Sequence, residues 1–139
     1  RAARPGGTVA LYVWDYAGEM QLMRRFWDAA SELDPAARAL AEGLRFSICA
    51  PEPLRALFAE AGLNDIAVTP IGVPTVFKDF DDYWVPFLGE QGTAPGYVKR
   101  LAGPQRDALR DLLRTRLPAA EDGSISLTAR AWAVRGVAP

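Results

Sequence analysis

Trp14, Asp15 and Tyr16 put a carboxylate and two aromatic rings with polar handles at the end of the uncharged apolar run Thr8 to Trp14. Open α/β sheets hold ligands beyond the carboxyl ends of their strands. The chemistry open to these three residues is therefore to hold a substrate or cofactor at such an edge, and a bland reading of Asp15 as a surface turn residue stands beside it. A second grouping sets Phe80, Tyr83, Trp84 and Phe87 at i, i+3, i+4 and i+7, the spacing that gathers side chains on one helix face. As a cap over strand ends that face would line a substrate site; otherwise it is core. Asp79, Asp81 and Asp82 suit the first turn of the same helix, where acidic groups complement the dipole, so no metal site is assigned.

Composition narrows the choice of chemistry. The chain has no histidine, which removes imidazole bases, histidine metal ligands and every Ser-His or Cys-His pairing. Sixteen basic and seventeen acidic residues leave a net charge of -1, too little field to draw in nucleic acid or an anionic membrane. The single Cys49 cannot form an internal disulfide, and no uncharged run reaches the roughly 20 residues of a membrane span. These features lead to the expectation of a cytoplasmic protein. At 139 residues and 50% hydrophobic content the chain fits one domain, 1–139. It opens with Arg rather than Met and on a turn, and is expected to be a fragment.

The supporting elements follow from patterning. Thr8 to Trp14 lacks apolar–polar alternation and predicts a strand covered on both faces. Met20 to Leu33 carries helical spacing, Pro35 to Glu42 a second short helix stopped by Gly43, and Pro51 to Ala61 a third with Leu54, Leu57, Phe58 and Ala61 inward. Ile66 to Phe77 is extended, but Pro70 and Pro74 confine it to a sheet edge. Ile125 to Arg135 has neither proline nor glycine and suits a sheet interior. Residues 78–118 form an apolar helical insertion between these strands. Its last part, from Pro104 to Leu117, turns Ala108, Leu109, Leu112 and Leu113 inward; Gly89, Gly92, Pro95, Gly96 and Gly103 make flexible joints before it.

The sequence Arg4-Pro5-Gly6-Gly7-Thr8 leading into a hydrophobic strand, then Ala61-Gly62-Leu63, an edge strand and a final antiparallel strand, resembles the carboxyl-terminal half of class I S-adenosylmethionine-dependent methyltransferases. Asp82 to Phe87 and Ala129 to Arg135 resemble a subgroup with a helical insertion before the last strand. The resemblance implies an α/β fold, the C-terminal half of a Rossmann-like sheet: strands 5, 6 and 7, with the antiparallel last strand between the other two. It implies S-adenosylmethionine as cofactor of the parent protein and a small-molecule methyl acceptor. Trp14, Asp15, Tyr16, Phe80, Tyr83, Trp84 and Phe87 would form the substrate-side wall and cap. The glycine-rich loop and acidic residue that hold the cofactor in this family have no counterpart here, so no cofactor-binding residue is assigned and the isolated chain is expected to be inactive. Catalytic residues and the acceptor are not assigned. The uncharged strand edge implies a homodimer, or association with an amino-terminal half. A second reading stays open, a non-catalytic α+β module that holds an apolar ligand or a partner protein.

Overall fold

The computed structural model describes residues 3–139. Three strands, β1 (Thr8–Trp14), β2 (Asn64–Phe77) and β3 (Ile125–Val137), form one sheet in the order β1-β3-β2. β3 runs antiparallel to both neighbours, with Thr8 opposite Val137, Trp14 opposite Ala131 and Phe77 opposite Ile125. The result is a mixed α/β fold around a three-stranded antiparallel sheet. Proline placement explains the order. A proline has no N–H to give to a ladder, and β2, with Pro70 and Pro74, takes an edge while proline-free β3 takes the centre.

The first helix, α1 (Gln21–Leu33), buries Phe26, Trp27, Ala29 and Ala30. A 3-10 segment, Pro35–Leu40, starts where Asp34 Oδ1 accepts the Ala36 N–H at 3.0 Å. The expected helix from Pro35 to Glu42 is corrected here. The 3-10 segment ends at Leu40, and Gly43 lies inside a separate one-turn helix, α2 (Glu42–Arg45). Proline at the first position sets the start, but Ala41 leaves helical backbone, with ψ at 128°, before α2 begins. Helix α3 (Pro51–Glu60) buries Leu54 and Phe58, whereas Leu57 and Ala61, expected inside, are exposed. Only a narrow stripe of this helix meets the sheet.

The insertion packs as helices. At α4 (Phe80–Trp84), Asp79 Oδ1 accepts the Asp82 N–H at 2.8 Å and Asp82 Oδ2 accepts the Lys78 N–H at 3.1 Å. These carboxylates satisfy amides that the first turn leaves unpaired. A 3-10 segment, Val85–Leu88, follows. The expected flexible joints are in part a helix, α5 (Thr93–Arg100), which buries Ala94, Tyr97 and Val98. Pro95 and Gly96 do not prevent it, because Pro95 falls in the first turn, where a missing N–H costs nothing. Helix α6 (Gly103–Arg116) buries Leu109 and Leu113 and leaves Ala108 exposed, contrary to expectation.

Two clusters make the core. The larger joins α1 to the insertion and to the Phe77, Ile125 and Leu127 end of the sheet, and Phe26 stacks on Phe87 with ring centres 4.4 Å apart. The smaller sets Leu54 and Phe58 on Val134, with Val9 and Val13 beside them. Strand β1, whose unbroken apolar run predicts cover on both faces, has no fully buried residue, and Tyr12 is 73% exposed. The reason is that α3 covers only the Val9 and Val13 face. Over the other face Ala10, Tyr12, Ala67 and Ala133 line an open groove. The outer edge of β1 is also free among the described residues. Asp15 donates its N–H to the Arg130 carbonyl and Gly7 accepts from the Ala138 N–H, both at 2.9 Å. An antiparallel ladder bonds alternate residues, so the amides of Thr8, Ala10, Tyr12 and Trp14 point to the free edge. No helix among the described residues is long and apolar enough to cross a membrane.

Candidate functional site

The loop after β1 is organised by Asp15, which is only 5% exposed. Its Oδ2 accepts from Arg130 Nε at 2.8 Å and Nη2 at 2.6 Å, and from the Glu19 N–H at 3.0 Å; its Oδ1 accepts from the Gly18 N–H at 3.2 Å. The Arg130 guanidinium in turn lies over the Trp132 ring, 4.6 Å from its centre. The Trp132 indole N–H favours the same carboxylate without closing a hydrogen bond. Burial works against ionisation of Asp15. The Glu19 amide, Arg130 and Trp132 outweigh it and hold the carboxyl below the usual range. With its oxygens engaged in this way, Asp15 is a positioning group for the loop.

That loop forms one wall of a cleft of about 440 Å³ between α1 and α2, lined by Tyr16, Met23, Arg24, Trp27, Glu42 and Leu44 among others. Gly43 makes the arrangement possible. A Cβ there would stand 2.9 Å from Ala17 Cα and 3.1 Å from the Tyr16 carbonyl oxygen, so α2 can lie against the loop only because the residue is glycine. The same approach sets Glu42 facing α1. Glu42 is buried, and its Oε2 accepts the Trp27 indole N–H at 2.5 Å. Among the described residues no donor meets Oε1. Burial, then Glu42 and Cys49, push the Tyr16 phenol above its usual range, so it stays protonated and able to donate.

Arg24 completes the wall. Its Nε is buried with no hydrogen-bond partner, and the guanidinium makes no ion pair among the described residues. The cleft thus offers two guanidinium groups, Arg24 and Arg38, a carboxylate oxygen and a phenol, set among a tryptophan ring, Met23 and Leu44. Such a site can hold and orient a small polar molecule.

No protein-family model matches this chain, and no curated protein matches it.

Of the residues singled out in the sequence, Tyr16 lines the cleft, Asp15 supports it from behind, and Trp14, 41% exposed, does not line it. Phe80, Tyr83, Trp84 and Phe87 are all buried in the larger core cluster. Tyr83 donates its hydroxyl to the Leu22 carbonyl at 3.1 Å, and burial raises its phenol, with Arg25 acting in the opposite sense. The structure brings these four rings together with each other and with α1, and none of them lines the cleft. Sequence pattern does not single out Glu42, Trp27 or Arg24 as site residues. Arg24 and Trp27 read as the polar and apolar sides of an amphipathic helix, and Glu42 as the end of a short one. A carboxylate beside a glycine was the available signal.

Among the described residues, no group of three or more His, Cys, Asp or Glu side chains could hold a metal ion.

Proposed function

We propose that this chain is the carboxyl-terminal part of a cytoplasmic S-adenosylmethionine-dependent methyltransferase and that the cleft between α1 and α2 is its methyl-acceptor side. The observation that carries the reading is the strand order β1-β3-β2 with β3 antiparallel at the centre, the arrangement the resemblance implies. The cleft supports it as well, because Tyr16 and Ala17, which line it, directly follow the carboxyl end of β1, where open α/β sheets bind ligands. When bound, S-adenosylmethionine supplies an activated methyl group. The described residues do not compose a cradle for it: the Gly6-Gly7 turn stands at the amino end of β1, opposite the cleft. This part is therefore assigned the acceptor, and no step is derived through the cofactor. What its residues contribute is orientation, with Glu42 able to accept a hydrogen bond and Arg24 able to hold an anion.

A second reading, a non-catalytic module, is favoured by one feature. The open groove over Ala10, Tyr12, Ala67 and Ala133 is apolar and has a volume of about 500 Å³, large enough for an apolar ligand or a partner segment. The two readings separate by calorimetry with S-adenosylmethionine on the 139-residue chain and on the product of the whole reading frame that contains it. Binding by the longer product and none by the chain is expected. A longer product that fails to bind, or a reading frame that begins at this chain, sinks the methyltransferase reading.

A further inference from the structure

The chemistry of the cleft limits what it can take. Arg24 presents a guanidinium whose Nε is shielded from solvent and which makes no ion pair with a carboxylate among the described residues. A guanidinium so placed suits a bidentate carboxylate better than any neutral group. Asp28, also on the wall, makes no ion pair with it. Glu42 is the opposite case. It is largely buried, with one oxygen committed to Trp27 and the other meeting no donor among the described residues, and a carboxylate oxygen is a strong acceptor for a hydroxyl or amine hydrogen. The wall also carries Arg38, a second cation, and Ser31, while Tyr16, Trp27, Met23 and Leu44 give it ring and apolar surface that suits a flat apolar body.

We propose that this cleft binds an aromatic carboxylate bearing a hydroxyl or amine, with the carboxylate on Arg24 and the protic group on Glu42. The inference deepens the reading of the cleft as an acceptor site and rests on it, because the group held at Glu42 would be the one methylated.

The test uses the 139-residue chain labelled with nitrogen-15 and no S-adenosylmethionine. The Trp27 indole N–H, already bonded to Glu42, reports from inside the cleft, and its resonance is assigned by its loss in Trp27→Phe. Four probes are titrated: 4-hydroxybenzoate, 4-aminobenzoate, the methyl ester of the first, which has no anion, and 4-methoxybenzoate, which has no protic hydrogen. The hydroxy and amino acids are expected to move the Trp27 resonance saturably, and the ester and the ether to bind roughly tenfold or more weakly, as loss of one charge-assisted contact implies. Arg24→Gln is expected to weaken the hydroxy acid roughly tenfold while leaving the ester unchanged, and Arg24→Lys to recover part of the loss. Glu42→Gln, which keeps an oxygen for Trp27, is expected to weaken the hydroxy acid and spare the methoxy acid. If neither acid moves the Trp27 resonance at millimolar concentration, or if the ester binds as well as the acid, the proposal is overturned. Failure here leaves the methyltransferase reading standing if the longer product transfers methyl groups to some other acceptor. Success here without any S-adenosylmethionine binding by the longer product would leave a carboxylate-binding module.

Discussion

Arg130 Nη2 stands 2.6 Å from Asp15 Oδ2, so the central strand β3 holds the first residue of the loop that walls the cleft. Asp15→Asn removes the charge and leaves the guanidinium, whose side chain is 32% exposed, partly buried without its counter-ion. Loss of a fully buried pair costs about 3–5 kcal/mol. Partial exposure of Arg130 reduces this, and about 2 kcal/mol is expected from denaturant melts of the two proteins. A variant as stable as the parent would show that the ion pair does not support the loop.

The same carboxylate sets an acid limit. Its folded pKa lies below its unfolded one, so the stability it contributes is fully present above the ordinary aspartate value of about 4 and is lost as pH falls through the folded value. Stability measured from neutral pH downward should therefore fall below about pH 4, with a smaller fall in Asp15→Asn. Asp122, lowered by hydrogen bonds from Ser124, is fully exposed and remains in both proteins. Identical acid profiles would remove Asp15 from the account.

Glu42 and Trp27 are expected to couple. Trp27→Phe deletes the N–H that meets Glu42 at 2.5 Å and leaves a buried carboxylate without that donor, at a cost of about 1–3 kcal/mol. Glu42→Gln retains an acceptor and should cost less. A double-mutant cycle in thermal melts that gives no coupling energy would contradict the hydrogen bond.

Gly43→Ala tests the close approach of α2 to the loop. The added methyl meets backbone at Ala17 and Tyr16 rather than a side chain that could turn aside, so α2 or the loop must shift. A loss of about 1–3 kcal/mol is expected, together with a moved Trp27 indole resonance. An unchanged resonance would mean that the cleft does not depend on this contact.

The free edge of β1 should pair. Ala10 and Tyr12 direct their amides outward from an uncharged strand whose second face is also open, and such edges template further pairing. For the isolated chain we propose a two-fold dimer through this edge, the commonest closed arrangement. Light scattering should report a dimer or larger assembly. Ala10→Pro, which deletes an outward donor and no β1–β3 bond, should disperse the assembly. A parent chain that is monomeric at high concentration would count against edge pairing.

Local pattern by itself determined much of this molecule. Pro70 and Pro74 sent β2 to an edge, and a run free of proline and glycine between Ile125 and Arg135 suited β3 to the centre, because a strand's hydrogen-bonding capacity is written in its own residues. Helical spacing likewise marked the inward residues Phe26, Trp27, Leu54, Leu109 and Leu113. Periodicity says which face is apolar and not what that face meets. Hence Phe80, Tyr83, Trp84 and Phe87, legible as one face, could be core or cap until α1 was seen packed on them. β1, legible as apolar, could not reveal that α3 would cover one side only. The cleft lay furthest from view. Trp27 meets Glu42 across 15 positions and Asp15 meets Arg130 across 115, and pairings at such separations depend on the path of the whole chain, here on a glycine that lets two backbones touch.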